Sequence, residues 1–315
     1  MSNRALLVGI NDFLGRPGWR LRGCLNDTWD MQALLHENYG FERDDIRLLH
    51  NQEATADGIR TGLAWLLSDY QGDGDDTRIF HFASHGTQVE DVSGDEYDCA
   101  DEVIVSYDHR FSEPFLDDEL NEIFSTIPEH VHFTFIADCC HSGTIQRFVL
   151  PSENQSGEAE ERVCRNRAVQ PPVEMQQRIS ERITQRDIAF DEFVEEEFDA
   201  LVKNTPSEQL PEIMRTFRED ALAQFKSKFN IASVDRCILL AACEDEQTAA
   251  DAKIDGQYRG ALTWSLTKAL RESSGRLNYV ELIQLIAIYL SDFEQTPQLE
   301  CPDSWRYERV FAQKD

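Results

Sequence analysis

The sequence predicts an α/β fold in which helices cover both faces of a mostly parallel sheet. Two apolar runs support this prediction, at residues 78–84 and 131–137, because each is rich in β-branched and aromatic residues and ends abruptly in polar ones. The order of elements adds a second argument, since strand, helix, strand, helix, strand is the pattern of a doubly wound sheet. The 315 residues, 41% of them hydrophobic, suffice for one large domain or for one domain with an insertion.

The first elements of the chain follow from the spacing of its apolar residues. Short apolar runs predict strands at residues 5–10 and 46–50. Apolar residues recur at helical spacing over residues 26–37 and 55–70, which predicts two amphipathic helices that turn these side chains toward the core. A further short helix is predicted at residues 115–120, because its acidic residues suit the positive end of a helix.

Residues 151–233 differ in character from the rest of the chain. They begin with Pro, Ser, Asn and Gly and continue as long, charged sequence of helical type. We interpret them as a partly helical insertion, so that residues 1–150 and 234–315 together form one fold. The elements predicted after the insertion are a strand, two helices and a final short strand, at residues 236–243, 260–272, 279–290 and 297–300.

The strongly acidic composition restricts the partners of the protein. With a net charge of −29 the chain lacks the basic footprint that nucleic acid requires, so this class of partner is excluded. An acidic surface suits cationic peptides or metal ions, although it can also serve solubility alone. No apolar run approaches the length of a membrane span and no leader precedes the first strand, so we expect a soluble, cytoplasmic monomer.

Residues with catalytic chemistry follow both of the apolar runs. His85 follows the first run and Cys140 the second. Because the carboxyl ends of parallel strands meet at one edge of a sheet, we expect the two side chains to lie close together. A thiolate is a strong nucleophile, and an imidazole can take its proton and later protonate the leaving amine. The backbone amides of Gly86 and Gly143 are candidate donors to an oxyanion.

The remaining cysteines predict no metal or disulfide framework. Eight cysteines are scattered through the chain without the regular spacing of a small secreted scaffold, so we expect reduced thiols. Strand alternation turns Cys139 away from Cys140, which predicts a buried and inert thiol. A zinc site is disfavoured because its possible ligands alternate between the two faces of their strands, namely His81, His85, Cys139, Cys140 and His141.

The sequence around the two catalytic candidates resembles one family. HFASHGTQ contains His85 and DCCHSGT contains Cys140, and both are similar to the catalytic motifs of metacaspases, the caspase-like cysteine peptidases of bacteria, protists, fungi and plants. The resemblance implies a caspase-like three-layer sandwich and leaves only residues 151 to about 233 outside it. It continues, in family-like order, through ALLVGIN, LRGCLND, DEYDCADEVIVSYD, FLDDEL, ACEDEQTAAD, GALTWSLTKAL and TPQL.

The resemblance implies a cysteine endopeptidase that cleaves proteins after Arg or Lys through a thioester acyl-enzyme. It places the catalytic dyad at His85 and Cys140 and the S1 pocket at Asp27 and Asp138. A buried pair of carboxylates is also a suitable host for a guanidinium on physical grounds, and no cofactor is required. The alternative is a catalytically weak regulatory or scaffold protein whose insertion binds a partner, and the presence of all four residues argues against it.

The chain departs from the metacaspase pattern at the calcium site that many relatives use. Three aspartates of that site are matched by Asp101, Asp117 and Asp118, but Arg147 stands at the fourth position. A cation there removes a ligand and repels the metal, so we expect the site to be either incomplete and weakened or functionally replaced by the Arg147 charge pairing with Asp117 or Asp118. In both cases we expect activity that does not need calcium.

Basic residues within the insertion are possible sites of self-cleavage. They lie in polar sequence over residues 160–205, which an Arg- or Lys-specific peptidase could enter. The candidates are Arg162, Arg165, Arg167 and Lys203.

Overall fold

The computed structural model describes most of the chain. The described residues are 3–70, 76–91, 99–140, 164–205, 216, 217, 220, 221, 224, 237–243, 247–293 and 295–312. The chain divides into two compact units. Unit 1 comprises Met1–Gln88, Glu102–Gln170 and Val234–Asp315, and unit 2 comprises Val89–Asp101 and Pro171–Ser233.

The described part of the chain contains both strands and helices. The strands are β1 (Asn3–Gly9), β2 (Ile46–His50), β3 (Asp76–Ala83), β4 (Gly86–Glu90), β5 (Ala100–Ile104), β6 (Phe115–Leu116), β7 (Val131–Asp138), β8 (Arg165–Asn166), β9 (Ile238–Ala241), β10 (Ala250–Ile254), β11 (Gln257–Gly260) and β12 (Gln298–Glu300). The α-helices are α1 (Cys24–Tyr39), α2 (Ala56–Leu66), α3 (Asp117–Ser125), α4 (Val173–Asn204), α5 (Ala261–Glu272) and α6 (Tyr279–Tyr289).

The central sheet of unit 1 has the strand order β12-β9-β7-β3-β1-β2. Neighbouring strands pair in parallel, except that β12 runs antiparallel to β9. Every residue of β3 is buried, as expected for a strand that is covered on both faces. The prediction of a mostly parallel sheet is confirmed.

Helices cover both faces of this sheet and create two separate cores. Successive side chains of β1 point to opposite faces of the sheet. Ala5 and Leu7 pack in a core with α1, α5 and α6, whereas Leu6 and Val8 pack in a second core with α2 and α3. Every one of these four side chains is fully buried. The predicted three-layer sandwich is therefore confirmed.

Several element boundaries differ from those that the sequence predicts. Helix α2 ends at Leu66 instead of Tyr70: Leu67 leaves the helical conformation with φ of −96° and ψ of 27°, and Asp69 is left-handed with φ of 55°. The helix expected from Phe115 is preceded by the short strand β6, and α3 begins at Asp117. The strand predicted at residues 236–243 is shorter, since β9 covers Ile238–Ala241.

A small antiparallel sheet of unit 1 contains a piece of the predicted insertion. Strand β10 pairs with β11 on one side and with β8 on the other. In the second pairing Arg165 lies opposite Asp251 and Asn166 lies opposite Ala250. Residues 164–170 therefore belong to unit 1, whereas the sequence pattern placed them with residues 151–233.

Unit 2 contains the long helix α4, where the sequence predicts helical structure. Its first turns carry arginines that pair with Glu90 of the same unit. The Nε atoms of Arg178 and Arg182 lie 2.5 and 2.9 Å from carboxylate oxygens of Glu90. None of the described helices is both long and apolar enough to cross a membrane.

Candidate active site

The carboxyl edge of the central sheet brings the predicted catalytic residues to one place. Strands β3 and β7 pair in register, with Ala83 opposite Asp138. His85 and Cys140 each lie two residues beyond this pair, so both emerge at the same edge of the sheet. Both side chains are almost completely buried.

His85 is held by a backbone carbonyl that the sequence analysis did not identify. Its Nε2 lies 2.6 Å from the carbonyl oxygen of Trp19, and its ring is tilted against that of Phe13 at a centroid distance of 5.1 Å. A carbonyl can only accept, so Nε2 carries the proton and Nδ1 keeps its lone pair. The buried Nδ1 has no hydrogen-bond partner. No sequence signal could have indicated Trp19, because it acts through its backbone.

Burial makes His85 a neutral imidazole over the physiological pH range. Desolvation lowers the pKa of His85 to about 4, although its hydrogen bond to Trp19 acts in the opposite direction. A neutral ring with a free Nδ1 can accept a proton from a thiol. The structure shows no hydrogen bond between the described side chains of His85 and Cys140.

Cys140 contacts a second cysteine, which differs from the expectation of reduced thiols throughout. Its Sγ is paired with the Sγ of Cys243, and the backbone N of Ala249 donates a hydrogen bond to the same sulfur. Cys24, Cys164, Cys237 and Cys301 are free thiols. Cys139 packs in the core with α2 and α3, whereas Cys140 packs in the opposite core, in agreement with the predicted alternation.

Three buried carboxylates beside the sheet edge enclose the guanidinium of Arg167. Nη2 of Arg167 lies 2.5 Å from Asp27 and 3.2 Å from Asp251, and Nη1 lies 3.1 Å from Asp138. All four side chains are fully buried in these ion pairs. The sequence analysis named Asp27 and Asp138 for a pocket of this kind but missed Asp251.

The amino end of α5 holds two of these carboxylates. The backbone N of Gly260 donates to both oxygens of Asp27, at 2.9 and 3.1 Å. Thr263 donates to Oδ2 of Asp138 from its backbone N at 2.9 Å and from its hydroxyl at 2.5 Å. Because the amino end of a helix presents free N–H groups and a positive potential, it favours carboxylates in this place. A side chain at Gly260 would overlap Asp138 and Arg167, so the pocket requires glycine there.

The third carboxylate is fixed from the loop before α1. Asp251 accepts hydrogen bonds from the backbone N of Arg22 at 2.9 Å and from that of Gly23 at 2.8 Å. A side chain at Gly23 would meet Asp251 Oδ1 at 2.5 Å, which explains the glycine of LRGCLND. Asp251 therefore braces the loop and faces Arg167 at the same time.

Protonation of Asp27 is sensitive to its surroundings. Burial raises the pKa of Asp27 to about 7, while the neighbouring charge of Arg167 lowers it. The carboxyl consequently changes its charge near neutral pH. Loss of that charge weakens the attraction of the pocket for a cation.

The backbone of Arg167 also occupies a defined position at the sheet edge. Its carbonyl oxygen accepts hydrogen bonds from the backbone N of Gly86 at 3.0 Å and of Cys140 at 3.2 Å, and its own N donates to the carbonyl of Ala249 at 2.9 Å. Two converging N–H groups on one carbonyl form the arrangement that an oxyanion hole requires. Gly86 was predicted as a donor and Cys140 was not. Gly143, the other predicted donor, lies outside the described residues.

The residues after Arg167 continue along the same edge. Ala168 forms a parallel bridge with Gly86, and the backbone N of Val169 donates to the carbonyl of Gly86 at 3.0 Å. The hydroxyl of Thr87 donates to the carbonyl of Val169 at 2.8 Å. The chain around Arg167 is thus hydrogen-bonded on both sides, as an extended peptide is when it adds to the edge of a sheet.

The predicted calcium ligands stay a prediction. Asp101 is buried in β5, and the backbones of Asp117 and Asp118 begin α3. The side chains of Asp117 and Asp118, and the whole of Arg147, lie outside the described residues.

Comparison with known proteins identifies the family of this chain. A family model described as "Caspase domain" matches residues 2–306. Among solved structures, a crystal structure of a Geobacter sulfurreducens protein covers 100% of both chains with a TM-score of 0.63 and 22% identity, and this likeness concerns the fold alone.

Comparison with individual relatives narrows the family from caspase-domain proteins to metacaspases. Metacaspase-1B of Aspergillus oryzae is 32% identical over 309 residues, which cover 95% of this chain and 67% of the relative. Metacaspase-1 of Botryotinia fuckeliana is 31% identical over 319 residues, covering 95% and 68% respectively. Metacaspase-1B of Neosartorya fischeri is 30% identical over 308 residues with the same coverage. The chain therefore belongs to the metacaspase family and is a caspase-like, cysteine-type endopeptidase.

Proposed function

We propose that this peptidase cleaves proteins after Arg or Lys, with Cys140 as the nucleophile and His85 as its base. The observation that carries the proposal is the guanidinium of Arg167, which three buried carboxylates enclose beside Cys140. A buried guanidinium is tolerated only where opposite charges and hydrogen bonds compensate for its lost hydration. The same pocket is unfavourable for an acidic side chain, because carboxylates repel one another.

We assign each step of a thioester mechanism to a candidate group at the sheet edge. Nδ1 of His85 takes the proton of the Cys140 thiol, and the thiolate attacks the carbonyl carbon of the basic residue. The backbone N–H groups of Gly86 and Cys140, which now bind the carbonyl of Arg167, would hold the oxyanion. His85 then gives its proton to the leaving amine, and water hydrolyses the thioester.

The arrangement of the carboxylates favours Arg over Lys within this specificity. The two terminal nitrogens of Arg167 are shared among Asp27, Asp138 and Asp251. A planar guanidinium can satisfy several carboxylates at once, whereas an ammonium is a single charged point.

The chain contains a candidate for its own substrate. Residues on both sides of the Arg167–Ala168 bond are hydrogen-bonded at the sheet edge, with Arg167 in the acidic pocket. Of the basic residues predicted as sites of self-cleavage within 160–205, Arg167 is therefore the one that we assign.

Fluorogenic peptides that differ only at P1 test the specificity. We expect cleavage after Arg, slower cleavage after Lys and none after Asp. Asp138→Asn should lower kcat/KM for the Arg peptide, since it removes a buried negative charge that lies 3.1 Å from the guanidinium nitrogen in the structure. Asp44→Asn is a matched control, because Asp44 is an exposed carboxylate.

Two results would contradict this proposal. Efficient cleavage after Asp would exclude an acidic S1 pocket, as would an Asp138→Asn variant with the kinetics of the wild type. Failure of the folded wild-type protein to cleave any peptide would instead support the scaffold alternative.

A further inference from the structure

Two cysteines at the carboxyl edge of the sheet are brought together by strand register. Strands β7 and β9 are parallel neighbours in which Ala137 lies opposite Ala241. The backbone N of Ala242 donates a hydrogen bond to the carbonyl of Ala137 at 3.1 Å, which keeps the two segments side by side just beyond the paired alanines. Cys140 and Cys243 follow within three residues of the paired alanines, so the fold itself fixes their proximity.

The separation of these two cysteines lies at the upper end of the range that a disulfide spans. Their Cα atoms are 6.7 Å apart, within the range of about 4.4–6.8 Å that disulfides usually span, and their sulfur atoms are paired in the structure. Cys140 is completely buried, whereas Cys243 is partly exposed. Cys139 cannot replace either of them, because it packs on the opposite face of the sheet.

We propose that Cys243 is a resolving cysteine, which captures oxidised Cys140 as a disulfide and so switches the peptidase off reversibly. The proposal rests on the proposed role of Cys140 as the nucleophile. A thiolate engaged in a disulfide cannot attack a carbonyl, so formation of the bond abolishes acyl-enzyme formation. Reduction of the bond by a thiol restores both sulfurs.

Hydrogen peroxide is the oxidant in this scheme, and the reaction balances in two steps. The Cys140 thiolate attacks one oxygen of the peroxide and breaks the O–O bond, which gives a sulfenic acid and, after protonation, water. The Cys243 sulfur then attacks the sulfenic sulfur, the S–O bond breaks, and a second water leaves as the disulfide forms. Two thiols are oxidised and one peroxide is reduced to two waters.

The capture would protect the enzyme from irreversible damage. A sulfenic acid without a neighbouring thiol can proceed to sulfinic and sulfonic acids, which ordinary thiols do not reduce. Because Cys243 lies beside the nucleophile, it competes with this further oxidation. The Cys243→Ser variant should therefore lose reversibility, while its activity under reducing conditions is retained.

The test treats the full chain with hydrogen peroxide and follows it in two ways. Activity on an Arg peptide is measured before oxidation, after oxidation and after dithiothreitol. In parallel, non-reducing peptide mapping by mass spectrometry looks for a peptide pair linked through Cys140 and Cys243. We expect the wild type to lose activity, to form this link and to recover both thiols and activity on reduction.

Two cysteine variants show whether Cys243 is required for the recovery of activity. Cys243→Ser should lose activity that dithiothreitol does not restore, with Cys140 carrying two or three added oxygens. Cys139→Ser, the matched control, should behave as the wild type. Absence of the linked pair, or full recovery of Cys243→Ser, would overturn the proposal. A link that forms in a wild-type protein that cleaves no basic peptide would refute the proposed function while supporting the cysteine pairing.

Discussion

Arg167 combines two contacts that a residue at a cleavage site would need. Its side chain lies among Asp27, Asp138 and Asp251, and its carbonyl oxygen accepts hydrogen bonds from Gly86 and Cys140. Removing one partner from a buried ion pair typically costs about 3–5 kcal/mol, because it leaves an uncompensated charge. The three carboxylates therefore depend on having a cation between them.

Titration of the Asp27 carboxyl predicts how the rate of cleavage depends on pH. Because burial raises its pKa to about 7, the carboxyl is protonated at lower pH and the pocket loses one negative charge. We expect kcat/KM for an Arg peptide to rise as the pH increases through about 7 and then to level off. His85, whose pKa is lowered to about 4 by burial, stays neutral over this interval and does not produce the rise.

The Asp27→Asn variant separates this carboxyl from other titrating groups. Its activity should be about tenfold to a hundredfold lower above pH 7, from the loss of a charge-assisted hydrogen bond, and the rise near pH 7 should disappear. Steady-state kinetics at a series of pH values provides the measurement. A variant that keeps the same rise would show that another group controls it.

Helix α5 acts on the pocket through its first turn. Thr263 donates to Asp138 from its backbone N and its hydroxyl, and His81 Nε2 lies 2.9 Å from the same hydroxyl oxygen. One oxygen of Asp138 is thus committed to the helix, and the other, Oδ1, faces Arg167. Thr263 is a positioning residue for the proposed specificity, because it acts only through Asp138.

Substitution of Thr263 tests this positioning role. Thr263→Val removes the hydroxyl and should raise KM for an Arg peptide, since hydrogen bonds to charged groups contribute about 1.5–3 kcal/mol. Thr263→Ser, which keeps the hydroxyl, should restore KM. Thr267→Val removes another buried hydroxyl of α5, bonded only to backbone carbonyls, and controls for a general loss of stability. Equal changes in KM for both valine variants would argue against positioning.

The long, covered elements could be predicted from sequence and the short ones could not. Strands β3 and β7 are visible because most of their residues are apolar or β-branched and polar residues follow them. Strand β8 contains two residues and exists only through its pairing with β10, so no local pattern indicates it. Asp251 was missed for the same reason, since its contact with Arg167 joins two distant parts of the sequence.

At the scale of the whole molecule, the sequence departs most clearly from the family pattern at the expected calcium site. The family resemblance puts Arg147 at the position of a fourth aspartate, and we propose that a cation there repels a metal ion or takes its place. We expect the same rate of peptide cleavage in a chelator and in added calcium. A rate near zero in the chelator that micromolar calcium restores would show that Arg147 does not replace the metal.

The fold as a whole places one segment of the chain across the candidate active site. Residues 164–170 belong to unit 1 although they are joined in sequence to unit 2. Strand β8 pairs with β10, and Ala168 pairs with Gly86, so the segment contacts both parts of the sequence that build the site. If the proposed S1 pocket is correct, an external substrate has to take the place of this segment, so we expect cleavage within it to come first.

Mass spectrometry of the incubated, denatured protein tests this account most directly. We predict that the active protein is cut between Arg167 and Ala168, which yields a fragment that begins at Ala168. The Cys140→Ala and Arg167→Gln variants should remain intact at this bond. Arg165→Gln, which changes a neighbouring arginine outside the acidic pocket, should still be cut. Fragments that appear equally in Cys140→Ala, or a wild-type protein cut elsewhere but never after Arg167, would contradict the account.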